Sequence, residues 1–457
     1  MLRLFSPGVW IVVLLAVVSS ILVCLLPEAP RDGMQYWTWV REHAAVASSV
    51  AVKWNATHPN LPVRVSTLNP TALNTRLLSG FYSGTPVADL VEIERSSIGQ
   101  VFAGPSDDIG LVDLTDLMDR EHLREKINAP SLSPWTFRGR VYGLPHDVHP
   151  VMLGYRADLV EAAGIDVTKI ETWDDYFRVM RPLMVDRDGD GRPDSYLLNL
   201  APTSLGIHEV LLLQAGGGLI APDGSPTLNS EINIRIVAQM AVWCAGPNRM
   251  TAEINVAGPS AMRLAAEGYA VGFIWPDWAA GATRTALPNM AGKFKLMPLP
   301  AFTRGGRRTS VFGGTMLGLT KVSPHREAAW DFAKKVYLAP ETAERLYRTF
   351  GIVSPIKSNW SLPCYDEPDP YYCGQHVGRL YLNLAADVPL RVPSPYYLQA
   401  GDAFNAAMVT VCRAVDDQGL TDPAAVEPIA RRVLDTAQAN VQRLMSNNLF
   451  LKENRHP

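Results

Sequence analysis

From residue 34 onward, apolar and polar positions fall into short blocks whose period alternates between that of a strand and that of a helix. Residues 34–40, MQYWTWV, read as a first strand, followed by a helix through residue 55 and a second strand over 63–67. A helix over 71–82 and a buried strand over 88–94 complete a strand–helix–strand–helix–strand series. That series predicts an α/β fold with a parallel sheet covered on both faces. Ligands on such sheets meet the loops beyond the carboxyl ends of strands, where Trp39 and the turn Glu94-Arg95-Ser96 stand. Trp37 and Trp39 flank Thr38, so both point to one face, and Trp39 is nearer the strand end.

The alternation restarts after the segment VYGLPHDVHPVMLGY. A strand over 151–155 opens into a helix over 157–163, and Thr172 is placed to cap a helix over 172–184. A strand over 196–200 is followed by helices over 206–215, 230–244 and 259–267. Short strands over 270–275 and 294–298 come next, then a strand over 310–319 interrupted by Gly313-Gly314. Helices over 324–337, 340–349, 399–415 and 423–447 complete the pattern, and 448–457 reads as a tail. Three extended links are expected, at about 145–152, 310–316 and 351–356.

The first thirty residues differ from the rest. Arg3 precedes VWIVVLLAVVSSILVCLL, an uncharged run at the short edge of a membrane span and long for a signal-peptide core. PEAP after it is a poor cleavage site, and Val23 is bulky for a lipoprotein site at Cys24. The run predicts an N-terminal membrane anchor ahead of a lipoprotein, and either places the remainder outside the cytoplasm. The 457 residues suffice for two or more domains, and the net charge of −3 gives no reason to expect nucleic acid. Among the five cysteines, Cys364 and Cys373 are close enough to close a loop or to be unrelated thiols; Cys244 and Cys412 read as buried thiols.

Candidate chemistry is sparse. The segment GFIWPDWAAG supplies Trp275, Asp277 and Trp278, and its Pro-Asp predicts an exposed loop offering at least one aromatic plate. His146, Asp147 and His149 lie between Pro145 and Pro150, an extended stretch that separates the histidines and argues against a metal. Asp147 or His146 is then the better hydrogen-bonding candidate. Gly313, Gly314 and Thr315 would let backbone approach a ligand, and Tyr397, with Tyr396, can rim a cleft. Asp186, Asp188, Asp190, Arg192 and Asp194 fall at positions of a calcium loop, but Leu197 stands where its bidentate acid belongs. That loop fits a structural Ca2+ and equally an acidic turn held by its own side chains. No nucleophile elbow, zinc-helix motif, phosphate loop or dinucleotide fingerprint is present.

The opening YWTWV, then LLSGFYSGTPVADLVEIE, ETWDDY, LLLQAGGGLIAPDGSPTLNS and FGGTMLGLTKVSPHREAAWDFAKK are weak singly. In this order and spacing they resemble the sugar-binding extracellular solute-binding proteins of family 1, the maltose-binding-protein-like group. The look is nearest to its arabino-oligosaccharide and lactose-type binders. The resemblance implies a type II periplasmic-binding-protein fold, two discontinuous lobes joined by a hinge, with no cofactor required. The lobes would be 34–148 plus 316–352 and 149–315 plus 353–447. It also implies an oligosaccharide ligand, ABC permease subunits as partners, and an aromatic ligand contact at Tyr155 or hinge packing there. The rival reading is a glycoside hydrolase using Glu94 with Asp147 or Asp277; a third is a sensory ectodomain.

Overall fold

The computed structural model describes residues 6–25 and 32–448, so the 27–30 stretch and the expected tail from 449 lie outside the described residues. Two five-stranded sheets organise the chain. In the first, the order is Val63–Thr67, Met34–Thr38, Leu90–Glu94, Thr315–Leu319, Leu144–Pro145. The first three strands are parallel, and Thr315–Leu319 returns antiparallel with Thr315 opposite Glu94. Tyr36, Leu90 and Leu317 pack on one face with Trp54 and Phe332, while Val91, Ile93 and Met316 pack on the other with Leu77 and Phe102. Burial on both faces accounts for the apolar Leu90, Val91 and Ile93 at successive positions, and it leaves Glu92 buried among them.

The second sheet runs Phe294–Pro298, Val151–Arg156, Ala270–Pro276, Tyr196–Asn199, Thr251–Ala252. Its core extends into the mutually packed helices Glu231–Cys244, Tyr397–Gln418 and Pro423–Ser446. Helix Trp173–Met180 opens with a capping box in which Thr172 and Asp175 satisfy each other's backbone N–H groups. It ends four residues short of the expected 184, giving way to a single tighter turn at Arg181–Leu183, where Pro182 has no N–H for the α ladder.

Other differences have equally local causes. Residues 310–314 belong to no strand: Gly313 and Gly314 have φ of 91° and 133°, so the sheet begins at Thr315. The segment at 272–281 is no loop, because the strand runs through Pro276 and helix Asp277–Ala286 starts at once. Cys364 and Cys373 are free thiols; Cys364 is buried among aromatic side chains, and the exposed Cys373 donates to the carbonyls of Gly292 and Phe294. Cys244 and Cys412 are buried. Helix Pro7–Leu25 displays exposed apolar side chains from Val9 to Ile21. Among the described residues no helix is long and apolar enough to cross a membrane.

Candidate ligand-binding cleft

Where the links between the two sheets run side by side, a buried chain of acids and histidines ties them together. His149 lies at its centre, with φ of 51°, a left-handed conformation that non-glycine residues seldom adopt. That kink turns its ring between two carboxylates: Nδ1 lies 2.5 Å from Oδ1 of Asp277, and Nε2 lies 3.0 Å from Oδ2 of Asp147. Oδ2 of Asp147 also accepts the Thr315 N–H (3.2 Å), and Oδ2 of Asp277 accepts the Val353 N–H (2.9 Å). Asp147 thus joins the first link to the second, and Asp277 joins the first to the third. Burial alone would lower the His149 pKa, but the paired carboxylates outweigh it and raise it to about 10. Burial would raise Asp147, yet His149 and His146 hold it well below the usual carboxylate range.

The chain continues into the first sheet. His146 packs against His43 with ring centroids 3.9 Å apart and the planes tilted by 33°, and His43 Nδ1 lies 2.9 Å from Oε2 of Glu92. Glu92, fully buried, accepts hydroxyl hydrogen bonds from Tyr36 and Thr38 at 2.5 Å and Tyr337 at 2.9 Å. Burial works to raise its pKa; the His43 charge and hydrogen bond, with His146 and the Thr38 hydroxyl, bring it down to about 2. Burial, reinforced by His43, pushes His146 below the ordinary histidine value.

In front of this chain lies a cavity of about 790 Å³, within the range of small-molecule sites. Trp39 and Glu94 line it from the first sheet's side, Trp278 and Phe312 from the second's, and Ser96, His149, Gly313, Gly314 and Thr315 complete the wall. Trp278 is fixed by Nε1–H donating to the Phe312 carbonyl (3.0 Å) and by its edge contact with that ring. A Cβ on Gly313 would sit 3.1 Å from Trp278 Nε1, so the glycine is what lets the indole reach the link. Nε1 of Trp39 is buried without a partner, a donor left over at the wall. Glu94 caps the next helix by accepting from the Ser96 N–H (2.7 Å) and hydroxyl; burial, the largest influence, raises its pKa.

A second cavity, of about 600 Å³, lies beyond the same turn. Arg95 reaches across it to make a two-pronged pair with Glu209 at 2.6 and 2.8 Å. The Tyr397 hydroxyl donates to Glu209 (2.6 Å), and the Arg95 guanidinium lies 4.1 Å from the Tyr397 ring.

Most expected site residues therefore gather round the two cavities, but several do not. Trp275 is core, 1% exposed and stacked on Phe273, because it lies within a strand buried on both faces. Tyr155 is likewise buried in the second sheet, between Gly272 and Lys295. His146 faces His43 and Tyr337 rather than the cavity, and the histidine at the wall is His149. The two histidines are not separated as an extended stretch predicts; the His149 kink brings both to Asp147. Asp147 and Asp277 are buried and engaged by histidine and backbone N–H groups, which leaves neither placed to act as a hydrolytic acid. Glu92 and Glu209 were missed. A charged residue inside an apolar strand, as in VADLVEIE, was the available signal for the first.

The acidic loop stands away from both cavities. Carboxylate oxygens of Asp186, Asp188 and Asp194 lie within 4.8 Å of one another, without Asp190. They accept the N–H groups of Gly189, Gly191, Asp190 and Arg187, and Asp190 accepts that of Arg192. Leu197, at the missing acid position, is buried core.

Residues 39–343 match the family model described as bacterial extracellular solute-binding protein. The chain is 23% identical over 416 residues to an arabinooligosaccharide-binding protein of Halalkalibacterium halodurans, covering 89% of each. It is 24% identical over 398 residues to the arabinooligosaccharide-binding protein of Bacillus subtilis, covering 84% of this chain and 88% of that one. In fold it is similar to the sugar-binding protein MalE of Xanthomonas citri, with a TM-score of 0.70, 18% identity, and coverage of 91% and 99%. Two sheets joined by adjacent links, a cleft between them, and a family match over most of the chain lead to one conclusion: this chain belongs to the bacterial extracellular solute-binding protein family.

Proposed function

We propose that the protein is the carbohydrate receptor of an ABC importer, capturing an oligosaccharide between its lobes and delivering it to the permease's membrane subunits. The observation that carries this reading is the pairing of Trp39 from one side of the cleft with Trp278 from the other, with polar groups between them. Sugar rings present apolar CH faces, which aromatic plates cover, and hydroxyls, which Glu94, Ser96 and the spare Trp39 N–H can meet. Because the two plates come from different sheets, a sugar touching both binds the closed form better and shifts the population toward it. Arabinooligosaccharide-binding relatives support the ligand class. The lobes divide at the three links, as 34–148 with 316–352 and 149–315 with 353–447.

Membership of an extracellular family puts the binding domain outside the cytoplasm. The uncharged run at 9–26 and its exposed apolar helix support attachment at the membrane's outer face, by a retained signal anchor or by a lipid at Cys24. Thermal-shift screening of mono- and oligosaccharides, arabino-oligosaccharides included, tests the function. A ligand at 100 times its Kd adds about 2.7 kcal/mol of stability. At least one oligosaccharide should raise the melting temperature and be recovered intact; no shift across the panel, or a shortened sugar, contradicts the reading.

A further inference from the structure

The second cavity holds a buried positive charge, Arg391, that has no ion-pair partner among the described residues. Arg391 sits in VPLRVPSP, residues 388–395, where prolines at 389, 393 and 395 stiffen the chain, and its backbone N–H donates to the Ser133 hydroxyl at 3.1 Å. Its side chain is buried, with 6% of the residue exposed, beneath the glycine pair that forms the first cavity's wall. One terminal nitrogen, Nη1, donates to the Gly313 carbonyl. Nη2 lies so close to Gly314 that a Cβ there would come within 2.9 Å of it. Nε is buried with no partner. Among the described residues no carboxylate lies within ion-pair distance of this guanidinium. The neighbouring acids are engaged elsewhere: Glu209 by Arg95 and Tyr397, Asp147 by its histidines and Thr315. Arg124, also on the lining, is paired with Asp119.

A buried cation without an ion-pair partner is costly, and the cavity beside it is where an anion would sit. With Nη1 occupied, the side of the guanidinium bearing Nε and Nη2 remains, two parallel donors whose spacing matches the two oxygens of a carboxylate. Burial, together with the nearby Arg95 charge, lowers the Arg391 pKa to about 9 and outweighs the opposing pull of Glu209 and Asp147, which lie beyond ion-pair distance. Arg95 and Glu94 are consecutive in one turn, the first lining the charged cavity and the second the aromatic one. A saccharide held at the aromatic plates therefore has the charged cavity just across that turn.

We propose that the second cavity is a subsite for a carboxylate on the captured saccharide, a uronic acid unit, with Arg391 as its counter-charge. This rests on the carbohydrate reading above and narrows its substrate class. Calorimetric titration of the full chain with matched pairs tests it: digalacturonate against galactobiose, and cellobiouronic acid against cellobiose, with galactose 1-phosphate as a separate anion. In at least one pair the acid should bind about tenfold tighter than its neutral partner or better, and Arg391→Gln should erase that preference. Arg391→Lys, which keeps charge but loses the fork, should retain part of it. Neutral sugars binding as well as their acids overturns the subsite and leaves the carbohydrate reading intact. Galactose 1-phosphate binding more tightly than every uronate overturns the carboxylate assignment. If no member of the pairs binds, the subsite falls, while the wider thermal-shift panel decides the carbohydrate reading separately. The wild-type preference is read without any variant, so a poorly folding substitution does not shield the proposal.

Discussion

The two cavities share a turn and a wall, yet they are built from opposite chemistry. Glu94 and Ser96 face the first and Arg95 the second; Gly313 and Gly314 line the first while Arg391 lies behind them. The first is walled by indoles and the phenyl rings of Phe312 and Phe350, with polar groups at their edges. The second is crossed by an ion pair and floored by an arginine that lacks an acid. Apolar rings thus stand on one side of the glycine pair and charge on the other, and the absence of a side chain at Gly314 is what lets the Arg391 guanidinium come so close behind it.

Four experiments break or sharpen this contrast, beginning with the largest effect. Trp275→Ala should cost about 3–5 kcal/mol of stability in urea unfolding, the usual loss for a buried tryptophan, since Trp275 packs in the core behind the aromatic cavity. Trp278→Ala should instead weaken saccharide binding by about 2 kcal/mol, roughly thirtyfold, with a much smaller stability loss. If the two results exchange places, the aromatic wall has been assigned to the wrong indole.

The hinge beneath the cavities should show its charges in a pH profile of melting temperature. The folded-state pKa of His149 is raised to about 10 from an ordinary 6.5, so its contribution is fully present below about 6.5 and is lost as pH rises through 10. Glu92 is lowered to about 2 from 4.5, so its contribution is present above about 4.5 and is lost as pH falls through 2. Asp277→Asn should flatten the alkaline limb and Glu92→Gln the acid limb; limbs unchanged by these variants would remove the hinge network from the account. The smallest effect is expected far from both cavities. Calcium added to chelated protein should leave the melting temperature unchanged, because the Asp186–Asp194 turn is held by its own N–H to carboxylate bonds and Leu197 offers no acid.

Much of the fold was legible because burial leaves periodic traces: 34–38, 63–67 and 90–94 became three parallel strands, and Thr172 caps its helix. The stretch 95–145 was not, since its helices of four to seven residues are too short to show a period. Helix Val377–Leu384 was hidden behind a Pro- and Tyr-rich loop. At the site, residue type was a better guide than orientation. Trp39, Glu94, Ser96, Trp278 and the glycine pair line one cavity, but Trp275 carries the same side chain as Trp278 and points into the core. Trp275 lies inside a strand buried on both faces, whereas Trp278 stands in the first turn of the helix that follows, and composition does not mark where the one gives way to the other. The convergence of His146 and His149 on Asp147 depends on one left-handed residue, which a pair of flanking prolines does not announce.

A crystal structure with a saccharide from the thermal-shift screen tests the central claim most directly. The account predicts a sugar ring between Trp39 and Trp278, with hydroxyls at Glu94 and Ser96. A saccharide seated anywhere outside these walls, with both indoles untouched, would contradict it.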